Sequence, residues 1–161
     1  VINLKNEVNG YSIPRKNYFL GRFLLKGGAY PDYTLRLYRR GKGNLPAKNV
    51  HEQAVVEGKI GYMKSDLLHY SNRKFSDYIQ KRFFRYSLIM ATDLHGGLIR
   101  NFFVNPLFDS RQGFISIYFR HLGFLDGFPG FVWALFSSLH FPMAYIFKIE
   151  REYARRTGPT G

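Results

Sequence analysis

The segment Val50-His51-Glu52 closes a basic loop and stands just before a β-rich run. Group transfer onto a hydroxyl needs a carboxylate that takes the hydroxyl proton, and Glu52 has that chemistry. A departing diphosphate needs a cation or a metal beside it, and His51 is able to bind either a phosphate or a metal. Spacing alone is met at least as simply by a solvated glutamate at a strand start and a loop histidine. Arg36, Arg39 and Arg40 form a second group around an alternating run. Guanidinium forks bind diphosphate oxygens well. A charged strand edge that discourages aggregation explains the same residues. Lys42 and Lys48, on either side of the following loop, tilt the reading toward phosphate. His69-Tyr70 and Arg73-Lys74 read as ordinary packing and solvation. Asp126 is a lone acid in an apolar stretch, and its simplest role is to cap the helix that follows.

These residues need elements to hold them, and the sequence divides into two zones. Residues 1–70 are turn-rich and β-leaning, and residues 71–161 are helical and increasingly apolar. Asn17 to Leu20 is a short apolar run closed by Gly21. Thr34 to Arg39 alternates and predicts a strand with Arg36 opposite Leu35 and Leu37. Ala54 to Met63 reads as a hairpin turned at Glu57-Gly58-Lys59, and Leu67 to Tyr70 as a further short strand. Phe75, Tyr78, Ile79, Phe83, Tyr86 and Met90 fall at helical spacing. That helix starts at a Ser71 or Asn72 cap and ends at Gly96-Gly97. A second helix is predicted from Arg111 to Leu122, capped by Asp109 or Ser110, and a third from Pro129 toward Lys148, bent at Pro142. The expected fold class is α+β, a short mixed sheet followed by amphipathic helices.

Composition limits the partners. The 161 residues carry 24 Lys+Arg against 11 Asp+Glu, a net charge of +13 that attracts polyanions. Phe and Tyr number 16 and 12, more aromatic surface than a core of this size uses. The absence of cysteine excludes a disulfide scaffold, a thiol nucleophile and a thiolate metal site. There is no Walker A loop, no Gly-x-Gly-x-x-Gly, no zinc spacing and no Asp-x-Asp pair. The basic residues do not gather with aromatics in a nucleic-acid-reading motif, so nucleic acid is not an expected partner. The first residue is Val1 rather than Met, which suggests a sequence that begins inside a longer protein.

The stretch from Gly127 to Phe147 holds 21 residues without Asp, Glu, Lys or Arg. That length could span a bilayer, but Ser137, Ser138, His140 and Pro142 make it a poor span. Basic, aromatic helices before it and Lys148, Arg151, Arg155 and Arg156 after it favour an interfacial, monotopic hairpin. Burial against a missing domain and true spanning are the alternatives. On the interfacial reading Arg111, Phe114, Tyr118 and Arg120 contact the membrane, followed by Phe131, Trp133 and Phe136.

An ordered set of segments resembles the family-2 glycosyltransferases. It comprises Asn17-Tyr18-Phe19-Leu20-Gly21, Gly27-Gly28 through Tyr30-Pro31-Asp32, Leu35 to Arg40, Val50-His51-Glu52 and His69-Tyr70. The likeness is greatest to the bacterial branch that decorates the lipopolysaccharide core. Tyr118-Phe119-Arg120, Gly123 to Gly127 and Pro129-Gly130-Phe131 resemble that branch's C-terminal extension. The resemblance covers residues 10 to 152 or so. It implies a partial GT-A domain in residues 1–70, the acceptor side, and a membrane-associated extension in residues 71–161. The nucleotide-binding half with its metal-binding acids would then lie before Val1. The resemblance makes Glu52 the general base and Arg36 a ligand or organiser for donor phosphate, with His51, Arg39 and Arg40 beside them. It implies a divalent metal, Mg or Mn, whose ligands are not in this chain. The implied partners are a nucleotide-sugar donor, a glycolipid acceptor, an anionic membrane surface and the missing N-terminal half. The implied location is the cytoplasmic face of the bacterial inner membrane, peripheral or monotopic. A non-catalytic membrane-binding or scaffold module is the alternative from another class.

Overall fold

The computed structural model describes residues 8–44, 54–72, 74–94 and 104–158. Its β-rich part is organised by one long strand, β1, Val8–Phe19. β2, Arg22–Phe23, folds back on the end of β1, and β3, Asp32–Tyr38, runs antiparallel to it from Arg15 to Gly10. Two strands lie parallel to β1: β6, Lys59–Tyr62, beside Val8 to Ser12, and β7, Leu67–Asn72, beside Arg15 to Phe19. β4, Gly43–Asn44, and β5, Val55–Val56, make a separate two-stranded ladder.

Local chemistry explains these turns. Leu20 and Gly21 both have positive φ, 45° and 91°. That pair of conformations is what a tight β1–β2 hairpin requires. The hairpin predicted for Ala54 to Met63 does not form. The strands on either side of Glu57-Gly58-Lys59 find other partners: Val55 and Val56 pair with β4, and Lys59 to Tyr62 with β1. Asn9 also takes the Glu57 carbonyl with its side-chain amide at 2.7 Å. The chain therefore leaves β5 paired with β4 and crosses to β1 as β6. β1 extends far beyond the apolar run Asn17 to Leu20 and includes Pro14. A proline lacks the ladder donor and is disfavoured in a central strand. Here it falls in the gap between the β6 register, which ends at Ser12, and the β7 register, which begins at Arg15.

The helical part opens with α1, Phe75–Tyr78, a π-turn at Ile79–Phe83 and α2, Phe84–Asp93. The strand β7 runs on through Ser71 and Asn72, so these residues do not cap the helix; Lys74 occupies the cap position. α3, Val104–Ile115, starts earlier than Arg111. Pro106 sits in its first turn, where a missing N–H costs nothing. Asp109 and Ser110 are thus interior residues, and the Ser110 hydroxyl donates to the Pro106 carbonyl at 2.6 Å. A second π-turn, Ser116–Arg120, and a 3-10 turn, Gly123–Asp126, lead into α4, Gly127–Thr157. α4 continues past Lys148 and contains Pro142. Among the described residues it is the helix long and apolar enough, by length and composition, to cross a membrane.

Sheet and helices share one core. Phe19, Leu24 and Ala29 from the first zone pack with Tyr78, Phe83 and Val132 from the second. The Phe19 ring meets Tyr78 and Trp133 edge-on, with centroids at 5.3 and 5.7 Å. Phe75 meets Phe136 at 4.8 Å. Trp133 and Phe136 therefore turn inward against this cluster. Truncating Phe19 to Ala would cost about 3–5 kcal/mol for the lost burial and the cavity.

Candidate functional site

Register places polar residues where the helices cover the sheet. Arg15 on β1 lies opposite Asp32 on β3, and Asn17 lies opposite His69 on β7. Residues paired across strands share a face. That face continues into buried Phe19, so it is the side packed by α1, α2 and α4. Between them opens a cleft of about 760 Å³. Arg15, Asn17 and Asp32 line its sheet side; Arg82, Tyr86 and Asp93 come from the α1–α2 segment, and Trp133, His140 and Phe141 from α4.

Three donors converge on one oxygen. Asp32 Oδ2 accepts from Arg15 Nε at 2.9 Å, from Arg15 Nη2 and from Asn17 Nδ2 at 3.0 Å. Burial raises the affinity of the Asp32 carboxyl for its proton, but the hydrogen bonds from Asn17 and Arg15 outweigh this and hold its pKa below the usual carboxylate value. With its amide nitrogen committed to Asp32, Asn17 presents Oδ1 to His69 Nδ1 at 2.8 Å. His69 Nδ1 must then carry the proton, which leaves Nε2 as an acceptor. Burial lowers the His69 pKa first, and the charges of Arg15 and Arg82 lower it further. The result is a neutral, oriented imidazole on the sheet.

A second network holds the opposite wall. The buried Ser87 hydroxyl donates to Phe83 O at 2.9 Å and lies 2.8 Å from His140 Nδ1. Because its proton goes to Phe83, His140 Nδ1 donates, and Nε2 is left toward the Tyr78 hydroxyl at 3.5 Å. Burial keeps His140 neutral and pushes the Tyr78 hydroxyl well above its usual range. The π-turn that carries Arg82 widens the helix at this wall, a feature often found at functional sites. Below the sheet, Asp66 accepts from Tyr30 at 2.8 Å and pairs with Lys16 at 2.6 Å. That pairing fixes the chain leading into Asp32.

The residues expected from sequence are placed differently. Arg36 is exposed on β3 at the point where the register with β1 shifts, between Leu35 opposite Ser12 and Leu37 opposite Tyr11, so the strict alternation expected around it breaks there; it contributes to the positive field at His69. Arg39 and Arg40 follow the other end of β3, seven or eight residues from Asp32, on the order of 23 Å away at the strand rise. His51 and Glu52 lie outside the described residues. The chain flanking them is anchored where Asn44 pairs with Val55, beside that same end of β3. Arg111 and Arg120 are exposed, while Phe114, Tyr118 and Phe131 form one ring cluster. Arg15 and Arg82 were missed because neither stands in a motif. Asn17, Asp32 and His69 were present in the ordered segments, but as punctuation or packing.

Asp126 corrects its sequence reading. It stands at the start of α4 yet makes no capping bond there. Its buried carboxylate instead accepts from the backbone N–H groups of Leu25 and Lys26 at 2.9 and 2.7 Å. Arg22 donates to its carbonyl at 3.1 Å. Among the described residues no three His, Asp or Glu side chains converge to hold a divalent cation.

No family model matches the sequence. No solved structure matches it either. The chain is 28% identical, over 137 residues, to the lipopolysaccharide core biosynthesis glycosyltransferase LpsC of Rhizobium meliloti (strain 1021). The match covers 84% of this chain and 50% of LpsC, so the chain spans about half the length of that relative. This similarity supports a relationship to a glycosyltransferase of lipopolysaccharide core biosynthesis.

Proposed function

We propose that the chain is the acceptor-side part of an inverting family-2 glycosyltransferase of GT-A type. It acts at the cytoplasmic face of the bacterial inner membrane, on a nucleotide-sugar donor and a lipopolysaccharide-core glycolipid acceptor. The similarity to LpsC over most of this chain carries the reading. The ordered segments around Glu52, and a cleft lined by aromatic rings and by oriented polar groups, support it.

On this reading the Glu52 carboxylate takes the proton of the acceptor hydroxyl. The hydroxyl oxygen forms its bond to the anomeric carbon as the bond to the nucleoside diphosphate breaks, and the configuration inverts. Arg36, Arg39 and Arg40, with His51, bind the departing diphosphate. A divalent cation, held by residues outside this chain, would supply further charge to that leaving group. The cleft at the Asp32 end binds the body of the acceptor, remote from the reacting hydroxyl. Binding energy gathered there holds the hydroxyl in place.

The test is sugar transfer by the full-length protein carrying Glu52→Gln. Turnover falls by at least about 100-fold if the carboxylate is the base. Wild-type turnover removes Glu52 from that role. A non-catalytic membrane-binding module is the second reading, favoured by the charge of +13 together with exposed apolar residues on the 116–128 turn. Binding to anionic vesicles by a full-length protein that transfers no sugar would select it.

A further inference from the structure

We propose that the corner from Ser116 to Phe131 is a wedge that seats in the headgroup layer of an anionic lipid membrane. This deepens the membrane part of the reading above, and it does not depend on the transfer chemistry. The corner exposes large apolar side chains: Phe119 is 56% exposed, Leu125 54% and Phe128 71%, with Leu122 and Phe124 also exposed. A patch of this kind marks a partner surface.

Charge selects the partner. Arg120 is exposed within the corner and Arg111 on α3 just before it, and Lys26 and Arg22, which also lies 3.8 Å from the Asp126 carboxylate, flank it from the β-rich part. The acids between 106 and 131 are Asp109, half-buried on α3, and Asp126, buried. Apolar tips ringed by exposed cations match the interfacial zone of an anionic bilayer, where rings sit at the headgroups and cations meet phosphate.

Spanning is disfavoured by what packs on α4. Gly113 of α3 lies against Ser138 and Phe141, and Ser87 of α2 bonds His140. A bilayer crossing of α4 would carry Arg82 and Arg85 of the α1–α2 segment and Arg111 of α3 toward hydrocarbon. Seating the corner alone keeps Arg82 and Arg85 out of the hydrocarbon and brings Arg111 no deeper than the headgroups.

The wedge is rigid and joined to the cleft. A Cβ on Gly130 would collide with the Gly123 carbonyl oxygen, so the turn is packed backbone on backbone. The Asp126 carboxylate grips the Leu25 and Lys26 amides, and Gly27 N–H donates to His121 O at 2.9 Å. The segment 22–29 so held ends three residues before Asp32. Lipid contact at the corner therefore fixes the height and tilt of the cleft above the membrane.

The chain has no cysteine, so Phe128→Cys gives a single site for an environment-sensitive fluorophore. On vesicles of phosphatidylcholine with one quarter phosphatidylglycerol, the label shifts to the blue and is quenched by spin-labelled lipid. The same label at Val55→Cys, exposed on the separate ladder, does neither. Leu125→Asp with Phe128→Asp lowers vesicle binding at least tenfold while circular dichroism and the melting curve stay as in the parent. Arg120→Ala with Lys26→Ala removes the preference for anionic over pure phosphatidylcholine vesicles. An unresponsive label at 128, undiminished binding by the double Asp variant, or capture of a protein partner at the corner without lipid would each overturn the wedge. Vesicle binding is read without a transfer assay, so a failure of the glycosyltransferase reading leaves this result standing.

Discussion

Two aspartates are held in opposite ways. Asp126 is closed off in a turn, and its carboxylate is bound by backbone amides of a distant loop. Asp32 stands at the edge of a cleft, and its carboxylate is bound by the side chains of Arg15 and Asn17. Backbone amides cannot rearrange without unfolding the loop, so Asp126 works as a fastener. Side chains can exchange a partner for a ligand, so Asp32 is suited to a site. The same functional group is thus fixed by backbone in one region and by exchangeable side chains in the other.

The largest expected effect separates the two. Asp126→Ala strands two part-buried amide donors and removes the Arg22 contact, destabilising the fold by about 2–3 kcal/mol, since an orphaned donor costs about 1–3 kcal/mol when fully buried and less here. Urea unfolding of the 161-residue chain measures it, and a loss below about 1 kcal/mol would erase the fastener role. Asp32→Asn should cost well under that in stability, because the Arg15–Asp32 pair is partly exposed. On the proposed transferase reading, the same change in full-length protein should lower sugar transfer by roughly 10–100-fold through a displaced acceptor. Equal stability losses at the two positions would dissolve the contrast.

Smaller effects sharpen it. His69 and His140 both have folded pKa values below the ordinary 6.5, so the unfolded chain binds more protons in that range. Stability therefore falls as pH drops through 6.5, and the depressed Asp32 and Asp66 add a second loss below their ordinary value of 3.8. Thermal melts across pH show the first loss reduced in His69→Gln; an unchanged profile there would remove His69 from the titrating network. The smallest effect on folding is at Arg36, which is exposed. Arg36→Ala should leave the unfolding free energy within about 0.5 kcal/mol of the parent. On the proposed reading it should raise the KM for a nucleotide-sugar donor several-fold in full-length protein, and an unchanged KM would separate Arg36 from the diphosphate.

What could be read from sequence follows periodicity. The strand at Thr34 to Arg39 and the helix through Phe75 and Met90 were legible because apolar spacing alone specifies them. β1 was not, because Pro14 interrupts the pattern and its tolerance depends on a gap between two partners far along the chain. α3 was started too late because Asp109-Ser110 imitates a cap and Pro106 imitates a break. The order of sheet and helices was legible, as was a likeness to glycosyltransferases in the ordered segments. The cleft was not: Arg15, Asp32, Asn17 and His69 meet only through strand register, across separations of 17 and 52 residues. No local spacing encodes such a meeting.

Pro14 has one more consequence, during synthesis. β1 finds β3 within about 25 residues of chain, but its other edge waits for β6 and β7, which end at Asn72. Long-range parallel pairing is slow, and an open edge is a template for the wrong neighbour. A proline in the middle of that waiting edge splits the row of donors in two. A nascent chain bearing Pro14→Val would present an unbroken edge to its siblings on the polysome, and its yield of soluble protein would fall before any change in the finished fold could be seen.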